Sequence, residues 1–590
     1  MSRRACYPRP DFRRETWMSL NGAWRFSFGD EEKDRMDQPP TLSQMPLTIE
    51  VPYVYQCELS GIGQTESHDA VWYGKTFRLP DCFDERTHLI FGAVDWHCDL
   101  FVNGRYAGSH DGGYTPFRTD ITPFLRADGE QELILRVEDT LRCDQLRGKQ
   151  SWEKEPSRCW YTPSTGIWQS VWLERVPDNP IQSIHITPNL PQSEIRCEIS
   201  LNKPPKKDGQ FKIDVQYQGH SIAALTYKTK QMNVDLSVPI QPEDYIDEIH
   251  YWTPDHPNLY DVTVSYASDG QTDQVFTYFG FRDVCTRDGK TLLNHRPIYQ
   301  RLILHQGYYD GGLLTADTDE RYRTDLQTIK DMGFNGVRMH QKIEDPLFYY
   351  WADKIGLLVW GELPSCYEFS ELAMRRSFES MREFIQRDYN HPSIVCWVPL
   401  NESWGVRNIE HNAAQQRYAV SLYHFIKAMD STRWVSTNDG WEQVTTDFCT
   451  LHDYSFDGKA LSSRWDDLDA LLQSAAQDRM IFASGYQYTG QPILLTEFGG
   501  VAFKTNQSKK DWGYCAIEKN EASYIRRLTS LFSYIKTNRR IQGYCYTQFT
   551  DVMQETNGLL SIRREPKIAI DAIRSILFET DDSATLSPVP

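Results

Sequence analysis

The sequence predicts a multidomain chain: a β-sandwich of the jelly-roll kind, an immunoglobulin-like β-sandwich, and a C-terminal (β/α)8 TIM barrel. Three observations predict it. The length, 590 residues, exceeds what a single core usually holds. Short aromatic and β-branched runs between turn signals fill the first half, with no long helical period. From about residue 284, apolar strand-like runs alternate with helical stretches. The boundaries fall at 1–180, 181–283 and 284–590.

In the first domain the strand candidates are AWRFSFGD, AVWYGKTFRLP, HLIFGAVDWHCDLFVNGRYAGSH, ELILRVEDT and GIWQSVWLERV. Asn103-Gly104 between two apolar runs is a hairpin signal, and a two-sheet sandwich is expected. Between these strands lies LRGKQSWEKEPSRCWYTPSTGIW, a long aromatic loop of the length that is often functional. Trp152, Trp160 and Tyr161 are positioned to shape a substrate subsite if it reaches the barrel mouth; packing against the next domain is the plainer expectation.

The second domain offers IHITPNL, EIRCEISL, FKIDVQY, IAALTYK, NVDLSVPI, LYDVTVSYA and QVFTYFGF, separated by Lys, Pro, Asp and Gly clusters. Seven strands in this space suggest an immunoglobulin-like sandwich acting as spacer or brace. The assignment rests on spacing, since the Cys–Trp–Cys hallmark is absent from the sequence.

In the third domain eight buried-strand candidates are IYQRLILHQG, NGVRMH, LLVWGEL, SIVCWVPLNES, RWVSTND, CTLHDY, ILLTEFG and GYCYTQFTD. Between them lie helical stretches such as DERYRTDLQTIKDMG, PLFYYWADKIG and EASYIRRLTSLFSYIKTNR. Polar residues gather at the C-terminal strand ends, the catalytic face of such barrels. The final DSATLSPVP reads as a frayed tail.

Composition narrows the function classes. The net charge, 63 − 81 = −18, argues against a general polyanion binder, so no nucleic-acid partner is expected. MSRRACYPRPDFRRETW has no apolar core of a secretory signal, and no apolar run is long enough to span a membrane. The 13 cysteines are scattered, which fits isolated thiols in a reducing compartment, and a cytoplasmic protein without membrane association is expected. The 17 Trp and 32 Tyr read equally well as large β-rich cores or as stacking platforms for sugars.

WVPLNESWG ends an apolar strand in Asn401-Glu402, and ILLTEFGG ends another in Glu497. Both carboxylates belong on one barrel rim, and a carboxylate pair across a cleft is what glycoside hydrolysis needs. Glu402, flanked in sequence by Trp397 and Trp404, is the candidate for a pKa raised by desolvation.

NHPSIVCWVPLNESWG together with PILLTEFGG resembles the paired signature of glycoside hydrolase family 2, the β-galactosidase, β-glucuronidase and β-mannosidase relatives. The resemblance covers nearly the whole chain. LNGAWRF, VWYGKTF, GAVDWHCDLFVNGRYAGSHDGGYTPF and GIWQSVWLE resemble the family's jelly roll, FGFRDV its lead-in to the barrel, and GFNGVRMHQKIEDPLFYYWADKIGLLVWGELP barrel strands 2 and 3. It implies a jelly roll, an immunoglobulin-like sandwich and a barrel, in that order. It also implies a retaining exo-β-glycosidase that removes terminal non-reducing sugars by double displacement, with Glu402 as acid/base and Glu497 as nucleophile.

Around these, the resemblance implies that Asn401 bonds the sugar 2-OH and that Tyr454 stands near the nucleophile. Arg338 is placed to orient Glu497, and His340, Glu362, His452, Asp453 and Trp404 are further candidates for sugar contact or rim support. No HExxH or Cys/His spacing appears, so no transition metal and no required cofactor are expected. Some family members bind Mg2+ or Na+ near the site, a property that the residue pattern leaves open.

Three departures bear on substrate. Where well-known members carry a strand-8 Trp under the sugar, Thr547 stands here, flanked by Tyr546 and Phe549. The Asn-x-Lys motif by which glucuronidases clamp the sugar carboxylate has no counterpart in QETNGLLSIRREPK, where Arg563 and Arg564 are the nearby cations. The extra C-terminal domains of the largest β-galactosidases are not in this sequence. The first expectation is therefore a β-galactosidase-like enzyme on a neutral glycoside. β-Glucuronidase, β-mannosidase and arabinosidase activity are alternatives within the family, and a non-catalytic carbohydrate-binding protein is the alternative class. The expected partner is a carbohydrate or glycoside, and a homo-oligomer through barrel or sandwich faces is a family expectation.

Overall fold

The computed structural model describes residues 4–578 apart from 30–38, 128, 154, 241–248, 474–478 and 505–509, so the DSATLSPVP tail lies outside the described residues. A jelly-roll sandwich, an immunoglobulin-like sandwich and a TIM barrel follow one another along the chain.

In the first sandwich a six-stranded antiparallel sheet runs in the order Leu47–Val51, Gly22–Phe28, Ala70–Phe77, Gln131–Glu138, His97–Val102, Arg105–Asp111. It faces a four-stranded sheet of Trp17–Ser19, Val171–Val176, Arg86–Phe91 and Phe117–Asp120. Strand alternation sorts the side chains: Val171 and Leu173 join Trp24, Phe26, Leu89 and Leu135 between the sheets, while Trp172 packs outside with Tyr7 and Ile90. Asn103 and Gly104 both take positive φ, 52° and 76°, as a two-residue hairpin turn requires.

The long aromatic loop leaves this sandwich and lies on the barrel. Arg147 and Gly148 donate their N–H groups to the Ser365 carbonyl at 3.0 and 3.1 Å, and Tyr367 donates to the Cys143 carbonyl at 2.8 Å. Gly148 has φ +57°, and a Cβ there would stand 2.2 Å from the Gln341 carbonyl oxygen, so only glycine allows this approach.

Among the described residues the second sandwich has seven strands. Ile181–Asn189, Glu194–Leu201 and Asn233–Pro239 pack on His220–Thr229, Gly209–Tyr217, Tyr260–Ser268 and Gln271–Phe279. It braces the barrel from below. Trp252 donates from Nε1 to the Asp353 carbonyl at 2.9 Å, and with Val284 and Leu293 it closes the lumen. Arg282 caps strand starts through the carbonyls of Pro392, Ile394 and Thr432 at 2.9–3.0 Å. Arg14 ties the two sandwiches, bonding Glu174 at 2.8 Å and Asp273 at 2.9 Å.

Barrel strands 1 to 8 are Gln300–His305, Gly336–Met339, Leu358–Glu362, Ile394–Val398, Trp434–Val435, Cys449–Asp453, Ile493–Gly499 and Ile541–Thr547. They pair in parallel in the order 5-4-3-2-1-8-7-6. Leu302, Leu304, Trp360, Val395 and Leu494 fill the lumen. The outward strand faces pack on helices such as Glu371–Asp388 and Glu521–Thr537, whose first turns are capped by Ser370 and Asn520. Pro399, which has no N–H, breaks strand 4; pairing resumes as Leu400–Asn401 beside Asn438–Asp439 on the rim.

Among the described residues no backbone ladder joins strands 5 and 6. Side chains close that seam. Gln443 donates from Nε2 to the Thr450 carbonyl at 2.6 Å and accepts the Thr450 N–H at 3.1 Å, imitating a neighbouring peptide. Asp447 accepts the Val435 N–H at 2.8 Å and returns its own N–H to the Val435 carbonyl at 3.0 Å.

Candidate active site

The strand ends converge on one guanidinium. Arg338, at the end of strand 2 and fully buried, donates from Nε to Glu362 at 2.8 Å and from Nη2 to Asn401 Oδ1 at 2.7 Å. Its Nη1 lies 2.9 Å from Glu497 Oε1 and 2.7 Å from Asp439 Oδ2. Burial works against its charge, but Asp439, Glu362 and Glu497 outweigh burial and hold the guanidinium firmly protonated.

Glu497 stands on strand 7, 3% exposed. Burial pushes its pKa up, yet the charges of His452 and Arg338 more than offset this and keep the carboxyl well below its usual range. The Tyr454 hydroxyl donates to Glu497 Oε2 and also lies 3.3 Å from Thr547 Oγ1. The Tyr454 ring is stacked on Tyr514, with centroids 3.5 Å apart.

Glu402 sits in a sharp turn. Glu402 and Ser403 both have left-handed φ, 50° and 59°. Such residues cost of order 1–3 kcal/mol each and persist where surroundings hold them. Here the Glu402 N–H bonds the Asp439 carbonyl at 2.9 Å, the Ser403 N–H bonds Asn438 Oδ1 at 3.0 Å, and Ser403 Oγ donates to Glu442 at 2.6 Å. The turn aims the Glu402 carboxylate at His452 Nδ1, 2.8 Å away, with 17% of its side chain still exposed.

His452 bridges the carboxylates. Its Nε2 lies 3.0 Å from Asp439 and 3.6 Å from Glu497. Burial favours the neutral ring, but Glu497, Asp439 and Glu402 overcome burial and raise the pKa to about 10, making it an imidazolium. Donor atoms of Glu402, His452 and Glu497 lie within 4.8 Å of one another. With both His452 nitrogens on carboxylates and Arg338 on Glu497, the trio fits a charged bridge better than a metal.

Several expected contacts change. Trp397 does not wall Glu402. It points outward on strand 4, packs edge-on against Phe384 at 4.8 Å and bonds Asp430 at 2.9 Å, so Glu402 is not held between two indoles. Asp453 is no hydroxyl ligand: its oxygens accept from Ser455, Arg464 and Trp465. Glu362, fully buried, has its oxygens on Arg338, His340 and Gln341, so it braces the rim rather than reaching a sugar. His452 likewise has no ring nitrogen left for a hydroxyl, and Arg338 organises carboxylates from beneath the site.

Two side chains do keep free valences. Asn401 is buried; Arg338, a donor only, fixes its Oδ1, so Nδ2 is left without a partner. His340 bonds Glu362 through Nδ1 at 3.2 Å, and its Nε2 has no hydrogen-bond partner among the described residues.

The aromatic loop both packs on the barrel and lines its mouth. Trp160 donates from Nε1 to the Tyr367 hydroxyl at 2.8 Å and lies 5.8 Å from the half-buried Trp404; Trp152 covers Tyr367 at 4.3 Å. Tyr161 donates to Glu555 at 2.5 Å, and Glu555 accepts from Asn557 at 3.0 Å. With Thr547 at the end of strand 8, aromatic surface comes from Trp404 with Trp160 on one side and Tyr454 with Tyr514 on the other. Arg563 is exposed beside Asp310, and Arg564 is spent on Asp325.

Several residues escaped the sequence reading, among them Asp439, Gln341, Trp441, Lys149, Tyr514 and Glu555. Asp439 ends RWVSTND and was findable by the strand-end rule. Trp441 stands edge-on to His452 at 5.6 Å with its indole N–H unpartnered. Lys149 arrives from the first domain, 4% exposed, its ammonium 5.2 Å from the Trp404 ring centre.

Three models of one family match consecutive stretches: the sugar binding domain of glycosyl hydrolases family 2 over residues 17–177, the family 2 domain over 179–282, and its TIM barrel domain over 284–576. The β-galactosidase of Thermoanaerobacter pseudethanolicus is 29% identical over 396 residues, covering 65% of this chain and 50% of that one. The β-glucuronidase of Streptococcus agalactiae serotype V is 24% identical over 605 residues, covering 95% and 96%. The chain spans about half the length of several curated relatives that it matches. In fold it is similar to a GH2 β-galacturonidase from Eisenbergiella tayi solved with galacturonate, with a TM-score of 0.74, 21% identity and coverage of 97% and 98%.

Proposed function

The chain belongs to glycoside hydrolase family 2, and from that premise we propose that it is a retaining exo-β-glycosidase, with Glu497 as nucleophile and Glu402 as acid/base. One observation supports the reading: Glu402 and Glu497 both touch His452, at 2.8 and 3.6 Å, and one oxygen of each lies within 4.8 Å of the other, which puts them at the short end of carboxylate spacings. Retaining enzymes keep their carboxyl groups about 5–5.5 Å apart, whereas inverting enzymes leave about 6.5–9.5 Å for a water.

The environment of Glu497 supports its part in this division of labour. Glu497, held ionised by His452 and Arg338, attacks the anomeric carbon. Glu402, the more exposed of the two, gives its proton to the departing glycosidic oxygen, and a covalent glycosyl ester forms on Glu497. A water then yields its proton to Glu402 and attacks the same carbon, which frees Glu497 with the β configuration restored. The unpartnered Asn401 Nδ2 suits the sugar 2-OH. The first-domain loop walls one side of the mouth, which favours a chain end over a chain interior.

Relatives named β-galactosidase and β-glucuronidase leave two sugar classes. A neutral β-galactoside is favoured by the missing carboxylate clamp after strand 8. An acidic sugar is favoured by a different observation, the buried cation Lys149.

The test is a panel of p-nitrophenyl β-glycosides on wild type, Glu402→Gln and Glu497→Gln, with the first-formed anomer read by NMR. The expected result is β product first, turnover lost in both variants, and an α-glycosyl azide from Glu497→Ala with azide. An α product from wild type, or full turnover in either variant, would overturn the proposal.

A further inference from the structure

We infer that Lys149, contributed by the first domain, binds a carboxylate on the substrate sugar and makes the chain selective for β-glycuronides. The inference rests on the glycosidase reading above and adds the substrate class to it.

The backbone fixes where Lys149 goes. Gly148 is held against Ser365 and Gln341, and the Lys149 carbonyl accepts the Tyr161 N–H at 2.8 Å. The side chain is 4% exposed, with its ammonium 5.2 Å from the Trp404 ring centre and 5.9 Å from that of Tyr161. The rings offer a cation–π surface and a dry wall.

What this ammonium lacks is an oxygen. Among the described residues it makes no ion pair and no hydrogen bond to oxygen; its polar neighbour is the Cys159 thiol, a weak acceptor. The other buried lysine, Lys342, shows how the fold treats such a group. It donates to the carbonyls of Gly307 and Leu314, each at 2.7 Å, and to Glu344 at 2.6 Å. A buried ammonium with three donors and no oxygen acceptor is costly unless a partner arrives.

The acids in electrostatic reach of Lys149 are Glu555, Glu497 and Glu402. All are engaged elsewhere: Glu555 by Tyr161 and Asn557, Glu497 by Arg338 and Tyr454, Glu402 by His452. They keep the site cationic without occupying its donors. The arginines after strand 8 do not compete for this role, since Arg564 is bound to Asp325 and Arg563 stands exposed beside Asp310. A sugar carboxylate supplies both the missing acceptors and the missing charge.

The experiment compares wild type, Lys149→Met and Lys149→Arg on p-nitrophenyl β-D-glucuronide and β-D-galacturonide, each paired with its neutral glucoside or galactoside. Wild type should prefer at least one uronide. Lys149→Met should lower the uronide-to-neutral ratio of kcat/KM about 30- to 100-fold, mainly through KM, the scale of a lost charge-assisted bond. Lys149→Arg should recover part of it. Wild type acting only on neutral sugars, or an equal loss on both members of a pair, would overturn the inference and leave the glycosidase reading intact. No turnover of any of the four by folded wild type would overturn the inference as well, and the glycosidase reading itself then falls only if the wider p-nitrophenyl panel is silent too. If Lys149→Met proves unstable, inhibition of wild type by free glucuronate against glucose decides: equal inhibition overturns the inference.

Discussion

At the scale of single residues, the site is organised by what each polar atom is denied. Asn401 Nδ2 has no protein partner because Arg338 claims the other end of the amide. Replacing Asn401 by Ala should lower kcat/KM about 10-fold, the worth of one hydrogen bond of roughly 1.5 kcal/mol, and a 2-deoxy substrate should be indifferent to that contact. An equal loss on both substrates would show a merely structural amide. His452 gives a pH prediction. Its pKa is raised from 6.5 to about 10, so its stabilisation is fully present below about 6.5 and is lost as pH rises through about 10. The Tm difference between wild type and His452→Gln should therefore narrow across that window. The strand-end rule made Glu402 and Glu497 legible, and it covered Asp439 as well. Trp397 misled because adjacency in sequence is not adjacency in space. In a pleated strand alternate residues face opposite layers, and Pro399 breaks the strand before Glu402. Lys149 could not be read at all, since its position depends on how two domains dock.

At the scale of elements, the barrel is parallel sheet except where strands 5 and 6 meet. Gln443 stands in for a missing strand there, satisfying both backbone groups of Thr450. Gln443→Ala should cost about 3 kcal/mol in urea unfolding, because a buried N–H and a buried C=O lose their partners together. A change under about 0.5 kcal/mol would mean that the seam is sealed otherwise. The strands and helices were legible because their periods of two and 3.6 are written locally. RWVSTND was legible as one strand but forms two short pieces, because its partner strand is interrupted at Pro399. The destination of the aromatic loop was not legible, since nothing in its own composition says which surface it meets.

At the scale of the whole molecule, three cores act as one body through a few buried charges. Arg14 joins the first sandwich to the second through Glu174 and Asp273, all at 4% exposure or less. Arg14→Met strands two buried carboxylates and should cost about 3–5 kcal/mol, read in calorimetry as a lower Tm and a wider separation between the transitions of the two sandwiches than in wild type. Transitions unchanged from wild type would show the tie to be dispensable. Among the described residues, no helix is long and apolar enough to cross a membrane.

The bond from Tyr161 to Glu555 joins residues 394 apart in sequence. A ribosome releases the first of these well before the second. Until the barrel has been made the first-domain loop has no floor to rest on, and Glu555 has not been synthesised. The mouth of the site is thus finished by the segment after barrel strand 8, and a translation product truncated before Glu555 carries Glu402 and Glu497 without a closed cleft around them.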